Sequence, residues 1–127
     1  MTEYFTIGKK DGVVVLKFLF SELSLKEADD IKQELYELIS GHDRKFIINM
    51  ERCAFLSSSV LGMIVQVAAK VHEKSGRIVL CSMSEAVRAL FKITRLEKIF
   101  DIYAAEEEAV KSFSKDRPEP EEDKDGD

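Results

Sequence analysis

The sequence has few of the residues that mark a secreted or a metal-binding protein. Its 127 residues include no tryptophan, two cysteines and two histidines. Cys53 and Cys81 lie far apart in the sequence and match no metal-ligand spacing, and two cysteines are too few for a disulfide framework. We therefore expect two buried, reduced thiols, and neither a metal site nor a cofactor.

Long apolar runs and clusters of basic residues are also lacking. No apolar run approaches the roughly 18 residues that a membrane-spanning helix needs, and Met1–Tyr4 has no basic region of the kind that opens a signal peptide. Acidic residues outnumber basic ones by 24 to 19, which argues against nucleic-acid binding. The composition predicts a cytoplasmic protein that binds neither membranes nor nucleic acids.

The negative charge is concentrated at one end of the chain. Residues 114–127 carry seven acidic and three basic side chains and no apolar side chain that could join a core. A segment of this composition buries too little apolar surface to offset the entropy lost on folding. We expect one folded domain over residues 1–113 and an acidic, disordered tail over residues 114–127.

The chain begins with the pattern of a β-hairpin followed by a helix. Asp11-Gly12 separates two β-branched and aromatic runs, and both turn residues tolerate a positive φ. Ser24 and Glu27 have the spacing of a capping box, which predicts the start of a helix. Gly41 is predicted to end this helix as a left-handed cap.

The rest of the chain alternates between apolar strand patterns and helical patterns. Strands are predicted at about 45–50, 77–81 and 100–103, and helices at about 59–74, from a cap at either Ser82 or Ser84 onward, and at 106–113. The order ββαβαβαβα predicts a single α/β domain with a mixed, mostly parallel β-sheet, four helices and right-handed crossovers. Helices on one face of the sheet and helices on both faces remain equally open.

A run of serines, Ser57 to Ser59, precedes the apolar helix predicted in the middle of the chain. One of these serines is expected to cap the helix, since a serine oxygen accepts a hydrogen bond from a free backbone N–H. The helix dipole makes the same position tolerant of an anion. Capping alone explains such a run, but its place after a strand of a parallel sheet favours a functional role. The apolar excess at Met63 and Val65 indicates either a partner or a deeply buried first turn.

Two segments of the chain resemble the STAS family, and within it the bacterial anti-sigma factor antagonists. Asn49-Met50 and then Ser57-Ser58-Ser59-Val60-Leu61-Gly62 resemble its hallmark, a strand ending in Asp-Leu followed by Asp-Ser-Ser-Gly-Leu-Gly at the start of a helix. The segment from Val87 to Tyr103, followed by Glu106 to Ala109, resembles the C-terminal half of the family. The resemblance covers residues 3–113 and implies a single STAS-like domain.

The resemblance also implies a phosphorylation switch. In the family, the first serine of the hallmark is phosphorylated by an anti-sigma factor that is itself a serine kinase with a histidine-kinase-like ATPase fold. That serine corresponds to Ser58, with Ser57 and Ser59 as alternative acceptors. The unphosphorylated antagonist binds the kinase and releases the sigma factor, the phosphorylated form does not bind, and a PP2C-type phosphatase removes the phosphate.

The implied partner-binding surface surrounds these serines. We expect it to consist of Ser57, Ser58, Ser59, Val60, Met63, Met83 and Ser84. Asn49 and Ser57 stand where the family usually has aspartates, and Val60 replaces its glycine. These departures leave open a divergent member of the family whose regulation differs.

Two other classes of function are weighed against this one. The first is a STAS interaction module that is never phosphorylated and works in a signalling or lipid-transport complex. The second, an enzyme, is not expected, because the sequence shows no nucleophile–base pair, metal cluster or Gly-rich phosphate loop.

Overall fold

The computed structural model describes residues 4–114, and its strands and helices follow the predicted order. The elements are β1 (Phe5–Lys10), β2 (Val13–Phe18), α1 (Leu25–Ile39), β3 (Lys45–Asn49), α2 (Ser58–Glu73), β4 (Arg77–Cys81), α3 (Glu85–Ile93), β5 (Ile102–Tyr103) and α4 (Glu106–Lys111). A short 3₁₀ helix, Leu96–Lys98, lies between α3 and β5. The predicted acidic tail lies, apart from Ser114, outside the described residues.

The strands form one mixed sheet in the order in which they occur along the chain, β1-β2-β3-β4-β5. β1 pairs with β2 in antiparallel fashion, and the other three pairings are parallel. The hairpin turn confirms its prediction, since Asp11 and Gly12 adopt φ values of 51° and 81°.

Helices cover both faces of the sheet, but unequally. Leu16, Ile48 and Leu80 point to the face that packs against α1, α2 and α3, while their neighbours in sequence point to the face covered by α4. This alternation is the period-2 pattern of a strand buried on both sides. The helices α1, α2 and α3 each connect two neighbouring parallel strands. Because such crossovers share one handedness and the strands follow in sequence order, all three helices lie on the same face.

The two ends of α1 differ in how well they were predicted. The capping box at its start is confirmed, because the Ser24 side chain accepts a hydrogen bond from the Glu27 N–H and the Glu27 side chain accepts one from the Ser24 N–H. The left-handed cap at Gly41 is wrong: α1 ends at Ile39 with Ser40 as a right-handed C-cap. The Arg44 guanidinium, 2.7 Å from the Gly41 oxygen and 3.4 Å from the Ile39 oxygen, satisfies carbonyls at this end instead.

Within residues 4–114, no helix is both long enough and apolar enough to cross a bilayer.

Candidate functional site

The candidate site is the N-terminal tip of α2, at the edge of the sheet where β3 ends. Residues 50–57, which we call the connection, lead from β3 to this tip. Ser57 is the N-cap, as expected for one of the three serines: its backbone is extended and its Oγ lies 3.4 Å from the Val60 N–H nitrogen.

Two of the three serine hydroxyls make contacts inside the domain. The Ser59 Oγ donates to the Leu23 carbonyl at 2.7 Å and lies 3.1 Å from the Ser57 Oγ, while the Ser57 N–H donates to the Ser21 carbonyl at 3.0 Å. Ser57 and Ser59 are therefore half-buried and hold the tip against the segment that precedes α1. Ser58 is the exposed member of the run.

Met83 and Ser84, which were predicted to contact a partner, directly precede α3, and Ser84 bonds the connection. The Ser84 Oγ donates to the Ala54 carbonyl at 3.3 Å and accepts from the Val87 N–H at 3.2 Å, so it both caps α3 and joins α3 to the connection. Met83 is half-buried and packs against the core. Serine residues at the tips of two helices thus share one edge of the molecule.

Burial contradicts the direct partner contacts predicted for Val60 and Met63. Val60 is 0% and Met63 3% exposed, because the first turn of α2 faces the core. Of the two explanations for the apolar excess, the buried first turn is therefore the correct one for Met63. Val60 offers no surface to a docking protein, and Met63 contributes only to the lining of the groove between α1 and α2.

Exposed apolar side chains beside the tip were missed by the sequence analysis. Phe55, in the connection, is 51% exposed, and Leu25, the first residue of α1, is 82% exposed. Leu25 and Ser59 line a groove of about 320 Å³ between α1 and α2. Of the two apolar residues that precede the serine run, Leu56 is buried and Phe55 is not. One exposed apolar side chain thus lies in the connection that leads to the tip, and another lines the same groove as Ser59.

The tip of α2 also differs electrostatically from the other helix starts. Among the described α-helices, α1, α3 and α4 carry acidic residues in their first turn, and α2 carries none. Negative charge in a first turn offsets the positive end of the helix dipole. The start of α2 is therefore the one that lacks this compensation.

A buried polar network lies under the start of the connection. Asn49 is 1% exposed; its Nδ2 donates to Glu106 Oε1 at 2.7 Å, and its Oδ1 accepts from the Glu51 N–H at 2.9 Å. The second Glu106 oxygen pairs with the Lys10 ammonium. The hydrogen bond from Lys10, with a smaller contribution from Asn49, holds the pKa of Glu106 below its ordinary value despite partial burial. The asparagine in place of the family aspartate thus lies below the surface.

The thiols are buried and unpaired with each other, as predicted. Burial raises the pKa of both Cys53 and Cys81 to about 11, so they stay protonated at neutral pH. The described part of the chain contains no group of three or more metal-ligating side chains.

Comparison with known proteins places these features in a family. The model of the STAS domain matches residues 4–109. A putative anti-sigma factor antagonist, BtrV of Bordetella bronchiseptica, is 26% identical over 108 residues, covering 85% of this chain and 92% of the relative. The crystal structure of a putative anti-sigma factor antagonist from Thermotoga maritima superposes with a TM-score of 0.78 at 24% identity, covering 87% and 94% of the two chains.

The anti-sigma factor antagonist SpoIIAA is similar to this chain in an unphosphorylated and in a phosphorylated form. Its unphosphorylated form matches with a TM-score of 0.71 and 28% identity over 86% of this chain and 95% of its own. The phosphorylated form, from Bacillus, matches with a TM-score of 0.66 and 27% identity over 87% and 99%.

Proposed function

Because the chain belongs to the STAS domain family, with anti-sigma factor antagonists among its relatives, we propose that it binds an anti-sigma factor serine kinase and thereby releases a sigma factor. Phosphorylation of Ser58 by that kinase ends the binding, and a PP2C-type phosphatase restores it. STAS anti-sigma factor antagonists are regulators without an enzymatic activity of their own.

The observation that carries the proposal is the exposure of Ser58 between two hydroxyls with structural roles. Ser57 caps α2 and Ser59 binds the Leu23 carbonyl, so a phosphate on either oxygen would disrupt a contact of the folded domain. The Ser58 side chain is exposed at the tip, where an enzyme can reach it. Selection of Ser58 thus follows from which hydroxyl is accessible.

A phosphate at Ser58 would change the surface more than the fold. The phosphate adds about 1.5 to 2 negative charges. A partner that covers Phe55 and Leu25 would have to remove the water around these charges. Within the domain the same charge is tolerated, because the first turn of α2 has no acidic residue to repel it. The two solved forms of SpoIIAA, both similar to this chain, support a switch that leaves the fold intact.

The departures from the family motif do not remove this switch. Asn49 and Val60 are buried, so neither side chain is itself part of the surface that a kinase meets. Ser57 keeps the capping role, for which serine and aspartate are similarly suited.

Titration calorimetry with the cognate anti-sigma factor kinase tests the proposal. Ser58→Asp should weaken binding about 30-fold or more, since an unpaired buried charge at an interface costs at least about 2 kcal/mol. Ser58→Asn, of similar size but neutral, should bind within a few-fold of wild type. Ser114→Asp is the control: it places the same charge on another exposed serine, after α4 and outside the expected partner surface, and should bind like wild type.

Equal affinities of wild type and Ser58→Asp for the partner would reject the switch. That result would instead favour the second candidate, a STAS interaction module in a signalling or lipid-transport complex whose binding ignores phosphorylation. This candidate is favoured by the exposure of Phe55 and Leu25, because apolar side chains can contact a partner whether or not Ser58 carries a phosphate.

A further inference from the structure

The buried amide of Asn49 joins the two faces of the sheet at the point where the connection begins. Asn49 is the last residue of β3. Its Nδ2 donates to Glu106 in α4, and its Oδ1 accepts from the Glu51 N–H in the connection. With Asn49 1% exposed, water is a poor substitute for either partner.

Glu106 decides which way this amide points. An ionised carboxylate accepts hydrogen bonds and donates none, so only the NH₂ side of the amide can face it. The oxygen of Asn49 must then point to the Glu51 N–H, in the second residue of the connection, after the Met50 N–H, which donates to the Cys81 carbonyl. Lys10 holds the other oxygen of Glu106 and keeps the carboxylate ionised.

The connection is tied down along its length, so an orientation set at its beginning reaches the tip. The Cys53 N–H donates to the Met50 carbonyl at 3.0 Å, and the Ala54 carbonyl accepts from Ser84. At its end, the Ser57 N–H donates to the Ser21 carbonyl. The backbone between Asn49 and Ser57 therefore has little freedom to move.

We propose that Glu106, on the opposite face of the sheet, is a positioning residue for Ser58, acting through the amide of Asn49 and the Glu51 N–H. Its effect on phosphorylation rests on the proposed function; the link from Glu106 to Glu51 does not. The substitution Glu106→Gln removes the constraint, because the new amide can keep its oxygen on Lys10 and turn its NH₂ toward Asn49. Asn49 then turns its own NH₂ toward the Glu51 N–H, which is left without an acceptor.

Hydrogen exchange at the Glu51 amide, followed by NMR, tests the link without any partner. In Glu106→Gln, exchange at Glu51 should accelerate about tenfold relative to the buried Ile64 amide, as expected for the loss of one hydrogen bond worth about a factor of ten. Glu107→Gln is the matched control, because Glu107 lies in the same first turn of α4 but is exposed. It should leave exchange at Glu51 unchanged.

A second variant separates charge from geometry. Glu106→Asp keeps the charge but is one methylene too short to hold both Lys10 and Asn49, so it should also accelerate exchange at Glu51. Exchange at Glu51 that stays at the wild-type rate in both variants would overturn the link, as would equal acceleration in Glu107→Gln.

Phosphorylation kinetics with the cognate kinase then test the consequence. Glu106→Gln should lower the phosphorylation rate at saturating antagonist about tenfold. Moving a reacting group by about an ångström slows a reaction by this much or more. Its KM should stay unchanged, since the docking surface is intact. An unchanged rate alongside faster exchange would refute the positioning role. Absence of phosphate on the wild-type protein would refute the proposed function, while the exchange data would still decide the link.

Discussion

The tips of α2 and α3 are built alike. Each helix follows a parallel strand of the sheet and begins with a serine N-cap, Ser57 in α2 and Ser84 in α3. Each serine accepts from the backbone N–H three residues later, which belongs to Val60 in one helix and Val87 in the other. Both valines are 0% exposed. The shared Ser-x-x-Val unit starts a helix and fixes it to the core.

The residue after the cap is where the two tips differ. In α3 it is Glu85, a carboxylate that already offsets the helix dipole; in α2 it is Ser58, an exposed hydroxyl with no acidic neighbour in the first turn. The comparison teaches that the cap belongs to the fold, while the position after it is free to carry function. The first turn of α2 can therefore accept a negative charge at the position where α3 already carries Glu85.

Truncation of the two buried valines should produce the largest change in stability and should affect both tips alike. Val60→Ala and Val87→Ala each remove two buried methyl groups, at about 0.8 kcal/mol per group plus a cavity term, so each should cost about 2 kcal/mol. Urea unfolding with unchanged m values measures the loss. A cost for Val60→Ala below a quarter of that for Val87→Ala would show that the first turn of α2 is not anchored as described.

Removal of the caps should come next in size. Ser57→Ala and Ser84→Ala should each lower the free energy of unfolding by about 1 kcal/mol, because each leaves a helix N–H without its side-chain acceptor. Ser57→Asp, which restores the family residue and keeps an acceptor, should stay close to wild type in the same urea experiment. If Ser57→Ala is as stable as wild type, a different residue caps α2.

The position after the cap should respond with opposite signs in the two helices. Ser58→Asp should stabilise the fold by about 0.3 to 1 kcal/mol, since it supplies the missing charge, and Glu85→Gln should destabilise it by a similar amount. Both effects should shrink at high salt, which screens them. Destabilisation by Ser58→Asp at low salt would contradict the view that the fold tolerates a phosphate there.

The smallest effect should come from pH at the tip of α1, where Glu27 is part of the capping box. The Ser24 N–H, followed by the Tyr4 hydroxyl, lowers the pKa of Glu27 below 4.5. A lowered pKa gives stability that is present above pH 4.5 and is lost as the pH falls through the folded value. Glu27→Gln should therefore flatten the loss of stability in this acid range. The same acid slope in wild type and variant would assign it to other carboxylates.

Local signals accounted for the parts of the fold that the sequence predicted well. Asp11-Gly12 requires only its own backbone angles to form a hairpin turn, and Ser24 with Glu27 forms a capping box within four residues. The order of strands and helices follows from apolar period and turn residues in the same way. Such features depend on neighbours in sequence, which a single chain displays.

The errors came from contacts between distant segments. Arg44 took over the role predicted for Gly41 because the chain folds back onto the end of α1. Apolar spacing marks Met63 as a core candidate and a contact candidate alike, and only packing of α1 against α2 shows that it is buried. The bond between Asn49 and Glu106 joins residues 57 apart, and no pattern in either segment indicates it.

Phosphosite mapping after incubation with the cognate anti-sigma factor kinase and ATP tests the central claim most directly. Wild type and Ser84→Ala should each gain one phosphate, located on Ser58 by peptide fragmentation, and Ser58→Ala should gain none. Phosphate on Ser57 or Ser59, or no phosphate from a kinase that is active on another antagonist, would contradict the assignment of the switch to the exposed hydroxyl after the cap of α2.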